Sequence, residues 1–170
     1  SYTVYYDLIL CDTKGKCHAT GSKKFGLEGR QFYDKTWFQK AMATKDGNEY
    51  GFQTVHHSQR INDDHTIVFS CKIHEQGNPE NKVIGVLAAV FKWREFAQRI
   101  VNETAISDEE KAKTRVLICD DYGNILVDTE KKLLEIINFK GRDTLFEKKK
   151  GFLVAENNGH AQLISHALSP

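Results

Sequence analysis

The sequence is poor in proline, with 2 residues, and in net charge, which is formally only +1. Near-neutral charge without a basic stripe argues against nucleic acid as a partner. There is no apolar run of about 20 residues, the length needed to cross a bilayer, and no signal-peptide pattern. The 4 cysteines, Cys11, Cys17, Cys71 and Cys119, lack CxxC spacing and are too sparse for a disulfide scaffold. They are expected to be small buried hydrophobes inside or beside strands. No Gly-x-Ser-x-Gly elbow and no glycine-rich phosphate loop is present, so catalysis has no positive feature. The 7 histidines include His56, His57, His65 and His74, but no pair has a metal-ligand spacing. Neither a metal nor a cofactor is expected.

What remains is an ordinary globular composition, 40% hydrophobic and 28% charged, over 170 residues. Strand-like sequence begins at Tyr2, and the chain stops at Ser169-Pro170 just after another strand-like run. The expectation is an excised soluble part of a longer protein.

Leu8-Ile9-Leu10-Cys11 is apolar, and Asp12-Thr13-Lys14-Gly15 has the residues of a hairpin turn. Asp can bond its own backbone there and Gly takes the left-handed position. Cys17–Thr20 returns. Thr36 and Gln39 have capping-box spacing at the head of a short helix, with Trp37, Phe38, Ala41 and Met42 on one side, which Asp46-Gly47 breaks. Three strands are expected next. The first covers 50–58. The second covers 66–73, with Ile67, Phe69, Cys71 and Ile73 alternating against Val68, Ser70 and Lys72. The third, 83–91, is apolar on both faces. Trp93, Phe96, Ala97, Ile100 and Val101 then mark an amphipathic helix.

The strand-turn unit recurs at Val116–Gly123. A helical run at Lys131–Ile137 follows, then a hairpin turning through Asn157-Asn158-Gly159. Duplication predicts two modules, 1–103 and 114–170, the second truncated, each with its own sheet. The polar stretch Asn102–Lys113, with Ser107 and Glu110 at capping-box spacing, is read as the connector.

Strand, strand, helix and three antiparallel strands suggest an α+β, PAS-like sheet with flanking helices. Asp34-Lys35-Thr36-Trp37-Phe38-Gln39-Lys40-Ala41 resembles the (R/K)-x-W-(Y/F)-x-x-A segment of Cache domains, and Val83-Ile84-Gly85-Val86-Leu87 resembles their "iGVl" strand. The resemblance implies a double Cache sensor, the extracytoplasmic part of a chemotaxis receptor, histidine kinase or diguanylate cyclase. It implies a membrane-distal module at 1–103, a membrane-proximal one at 114–170, a dimeric parent and membrane helices outside the fragment. The periplasm or another extracytoplasmic space is the location it implies. The alternative is a cytosolic PAS- or GAF-like dimerisation module without ligand.

By the same resemblance, the segment of Lys35, Trp37 and Phe38 caps a ligand pocket in the first module. Aromatic faces beside a cation can clamp a small polar ligand. Tyr50, Gln53, His56, Ser58 and Ser70 complete the candidate set. His56 and His57 are adjacent on a strand, so they are not expected to face the pocket together. Amino-acid-binding members of the family carry an aspartate on the strand after the "GV" pair. Leu87-Ala88-Ala89-Val90-Phe91 has none, which points to a small polar or anionic metabolite.

Overall fold

The computed structural model describes residues 4–46, 48–157 and 159–168. Tyr2, Gly47, Asn158 and Ser169-Pro170, which enter the sequence reading above, lie outside the described residues. The chain forms two compact units, one ending at Arg99 and the other starting at Ile100.

The first unit is built on a five-stranded antiparallel sheet in the order β2-β1-β5-β4-β3. Its strands are β1 (Tyr5–Asp12), β2 (Cys17–Thr20), β3 (Gly51–Ser58), β4 (Asp64–His74) and β5 (Val83–Lys92). The central strand β5 pairs on both sides, as its continuous apolar run requires. One face carries Ile9, Cys11, Val68, Val86, Ala88 and Val90, all buried against α1 (Thr36–Ala43) and the segment before it. The opposite face is aromatic: Phe52 and Phe91 flank Phe69 at 4.9 and 5.4 Å between ring centres, and Tyr5 lies 4.4 Å from Phe91. A second helix, α2 (Trp93–Asn102), follows β5.

Two close approaches require glycine. A Cβ on Gly51 would sit 2.6 Å from the Ala41 amide nitrogen, so β3 meets the helix backbone there. A Cβ on Gly85 would sit 2.4 Å from the Cys11 carbonyl oxygen.

The head of α1 departs from the sequence reading. Lys35, not Thr36, is its N-cap residue, and no capping box forms. Instead the Trp37 N–H donates to the Gln53 side-chain oxygen at 3.2 Å, so a residue of β3 satisfies a donor the helix leaves open.

The second unit contains α3 (Asp108–Lys111), whose capping box of Ser107 and Glu110 forms as its spacing predicts. β6 (Leu117–Cys119) pairs with β7 (Ile125–Asp128), and β8 (Lys150–Asn157) with β9 (His160–Ala167), as two separate two-stranded sheets. Among the described residues the two pairs do not join into one sheet. The free side of β7 is taken by the following segment, where Leu134 N–H donates to Ile125 O and Ile125 N–H to Glu135 O, both at 2.8 Å. The helix expected at Lys131–Ile137 is therefore absent, and Lys131 and Leu134 take left-handed φ values of 62° and 61°. A five-residue helix, α4 (Arg142–Phe146), comes later.

One ion pair anchors this unit. Arg115 Nη2 lies 2.6 Å from Asp128 Oδ2, and the Asp128 side chain has no solvent exposure. Burial pushes the Asp128 carboxyl up, but the Arg115 hydrogen bonds and the Glu130 N–H outweigh it and hold the group below the usual carboxylate range. Its stabilising contribution is complete above about pH 4 and is lost as pH falls through the lowered value. Asp128→Asn is expected to cost about 2 kcal/mol at pH 7, because Arg115 is partly exposed and can rehydrate. The gap to wild type should narrow in urea melts at pH 3. An equal gap at both pH values would mean that the carboxylate charge is not what stabilises this unit.

Candidate ligand-binding site

A cavity of about 410 Å³ lies in the first unit between α1, the sheet and the turn after β3. Pockets for small ligands start near this size. Its base is apolar, formed by Ile9, Leu27, Phe32, Val68 and Val90. Trp37 closes one side, 5% exposed, its ring centre 5.6 Å from that of Phe32.

The polar wall comes from Lys35, Gln53, His56, His57, Thr66 and the run Ser58-Gln59-Arg60. Five of the sequence candidates thus line one cavity: Lys35, Trp37, Gln53, His56 and Ser58. Phe38, Tyr50 and Ser70 do not line it. Phe38 packs in the core beside Trp37. Tyr50 is 64% exposed with its ring against Phe69. Ser70 is buried, and its hydroxyl donates to Trp37 O at 2.7 Å and to Gly51 O at 3.3 Å, tying β4 to the helix and to β3.

His56 and His57 both border the cavity. β3 is an edge strand, and its register shifts between Gln53 and His56, which relaxes strict alternation. His56 is committed on both nitrogens. Nδ1 donates to Thr54 O at 3.0 Å, since a carbonyl can only accept, and Nε2 lies 3.3 Å from the Thr66 hydroxyl. His56 therefore shapes the wall more than it offers a donor. His57 lies 3.2 Å from Asp63.

Arg60 is the site residue that sequence reasoning missed. Among the described residues its guanidinium has no hydrogen-bond or ion-pair partner. Lys35 is less free, with Nζ 3.0 Å from Asp34 Oδ2, a hydrogen bond that lowers the Asp34 carboxyl. No aspartate or glutamate lines the cavity among the described residues. A wall with Arg60, the Asp34-paired Lys35, a serine hydroxyl and the NH2 of Gln53, whose oxygen is taken by Trp37, presents mainly donors to whatever enters.

The second unit has a cavity of about 280 Å³ lined by Val101, Thr104, Ile106, Lys111, Thr114 and Thr129, among others. It holds a single cation and no aromatic side chain.

No family model matches the chain, and no curated protein matches it either. Solved structures do match. The ligand-binding domain of the Campylobacter jejuni chemoreceptor Tlp3, in complex with 4-methylisoleucine, superposes with a TM-score of 0.68 at 21% identity. The match covers 94% of this chain and 59% of that one. The chain shares its fold with the matched part of that domain. The Pseudomonas fluorescens chemoreceptor CtaA domain, in complex with L-isoleucine, gives 0.62 at 13% identity over 94% of this chain and 60% of its own. The V. cholerae histidine kinase DctB sensor domain gives 0.50 at 13% over 72% and 41%. The chain spans about three fifths of the length of the chemoreceptor domains it matches.

Proposed function

We propose that the chain is the small-ligand sensing part of a bacterial transmembrane receptor, most simply a chemotaxis receptor, and that it binds rather than catalyses. The first unit is then the membrane-distal module that takes the ligand, and the second belongs to the membrane-proximal module. The periplasm or another extracytoplasmic space is the location that fits this role, with the parent dimeric and anchored by helices outside the fragment. Among the described residues no helix is long and apolar enough to cross a membrane. The shared fold with Tlp3 and CtaA domains supports the sensory role.

The ligand is a small polar or anionic metabolite. The observation that carries this is the pairing of Lys35 and Arg60 on a cavity wall without an acid. The solved Tlp3 and CtaA complexes hold α-amino acids, which bear both charges. Here the cavity lining offers the ammonium group no carboxylate, the adjoining Asp34 and Asp63 being held by Lys35 and His57, and an unpaired buried charge costs several kcal/mol. A carboxylate ligand meets a fork in Arg60 and a point charge in Lys35.

Calorimetry with the twenty amino acids and a panel of small mono- and dicarboxylates tests this. Micromolar binding of a carboxylate, weakened at least about tenfold by Arg60→Ala, is expected, since a charge-assisted hydrogen bond is worth about 1.5–3 kcal/mol. Micromolar binding of an amino acid that survives Arg60→Ala and is lost in Lys35→Ala would overturn the anion reading.

A further inference from the structure

We propose that Cys11 and Cys17 close an intramolecular disulfide across the β1–β2 hairpin when the chain folds in an oxidising compartment. The two residues are direct partners in the antiparallel pair, beside a register shift that leaves His18 without a ladder partner, and each is only 1% exposed. The hydrogen bonds around them define the kind of pair they form. Asp12 N–H donates to Lys16 O and Gly15 N–H to Asp12 O, both at 3.0 Å, closing the turn. Cys17 points its own backbone the other way: its N–H donates to Arg30 O at 2.9 Å and its carbonyl accepts from Gly29 N–H at 2.8 Å. Cys11 and Cys17 therefore occupy a non-hydrogen-bonded position of the ladder. Such positions bring Cα atoms to about 4.5 Å, with both side chains on one face, inside the roughly 4.4–6.8 Å range of disulfides.

Cys17 Sγ also donates to Ala19 O at 3.6 Å. No other described cysteine is placed to compete within the sheet. Cys71 pairs with Leu87, which pairs in turn with Leu10, so it lies on the opposite face from Cys11. Cys119 belongs to the second unit.

Burial sets the timing. It pushes the Cys11 thiol up to about 12, so the folded pair holds almost no thiolate. The bond must form while the hairpin is still accessible. The oxidant is a disulfide R–S–S–R, a small one or that of a thiol oxidase. One cysteine thiolate attacks it, releasing R–S⁻, which takes up the proton the cysteine lost. The second cysteine thiolate displaces the second R–S⁻ from the mixed disulfide in the same way. Two S–H bonds and the oxidant's S–S bond are replaced by one protein S–S bond and two R–SH. The cysteine pair gives up two electrons, and the oxidant accepts them.

The staple would fix the turn that carries Gly15. The Gly15 carbonyl accepts from Phe32 N–H at 2.8 Å, and Phe32 lines the cavity. The thiol pair itself lies outside the ligand wall, and its test needs no ligand, so its outcome is independent of the sensory reading.

The test is refolding of the whole chain from guanidinium in a buffer of oxidised and reduced glutathione, with quenching by an alkylating agent under denaturing conditions. Lys14 and Lys16 lie between the two cysteines, so trypsin separates them onto different peptides. The expected result is 2 alkylated thiols out of 4 and one linked peptide pair, holding Cys11 and Cys17, that separates on reduction. The oxidised protein should melt several degrees above the reduced one, and a Cys17→Ser variant should show no such difference. Four alkylated thiols after oxidative refolding, or a linked pair containing Cys71 or Cys119, would overturn the proposal.

Discussion

Gly15→Ala should cost about 3 kcal/mol or more in a urea melt, far beyond what an exposed turn usually loses. Gly15 has φ +82°, a region that costs an L-residue about 1–2 kcal/mol. The larger part comes from space. A Cβ there would lie 2.5 Å from the Tyr33 amide nitrogen and 2.8 Å from its Cα. Backbone cannot swing aside as a side-chain tip can, so the segment leading into α1 must move. That segment carries Phe32 and Lys35 into the cavity wall, so ligand affinity should fall together with stability. Gly26→Ala is the control. Gly26 also has a left-handed φ, of 57°, but nothing lies within 4 Å of its Cβ position, and about 1 kcal/mol is expected. Equal losses in the two variants would show that contact with Tyr33 is not the cause.

Trp37→Ala should remove about 3–5 kcal/mol, the usual cost of deleting a large buried aromatic side chain. Trp37 touches both Phe32 and Phe38, at 5.6 and 5.9 Å between ring centres, and forms a wall of the cavity. Truncation would merge its volume with the cavity beside it, and little can collapse inward because α1 is pinned. Ser70 holds the Trp37 carbonyl and Gln53 holds its N–H, and both bonds survive the substitution. Trp37→Phe should keep most of the stability but leave a gap on the ligand side. Denaturation of the two variants with and without the tightest carboxylate of the panel separates packing from binding. If Trp37→Ala lost less than about 1 kcal/mol, the ring would not be the packing element described here.

Most of the first unit could be read from residue pattern. The doubly apolar run of β5 follows from its central place in the sheet, whereas in β4 the more buried side is that of Thr66, Val68 and Ser70, and the Ile67-Phe69-Cys71-Ile73 alternation marks the aromatic face. The Asp-x-x-Gly turn was legible because the bonds that close it, from Gly15 N–H to Asp12 O and from Lys14 N–H to the Asp12 side chain, lie within the turn. The head of α1 was not. The spacing of Thr36 and Gln39 suggested a local cap, whereas the donor is satisfied by Gln53, on a strand that pairs elsewhere. The same kind of override appears at Lys131–Ile137, where apolar spacing fits a helix but hydrogen bonds to Ile125 draw the chain alongside β7. Arg60 escaped for a different reason. It sits in a polar turn just beyond a strand, where a charged side chain normally means solvent. The usable signal was its position two residues after Ser58, already a candidate. Ser70 misled in the opposite way, since a buried serine on a strand looks the same in sequence whether it serves a ligand or a helix carbonyl.

Trp37 has one more consequence. The chain has only 2 tryptophans, Trp37 and Trp93. The first is nearly buried among aromatic rings on the cavity wall, and the second is partly exposed at the start of α2. Indole emission depends on the polarity around the ring, so the two should emit at different wavelengths. A Trp93→Phe chain would keep a single tryptophan, on the wall of the cavity. Occupancy of the cavity could then be followed by light alone, in real time, with no label attached.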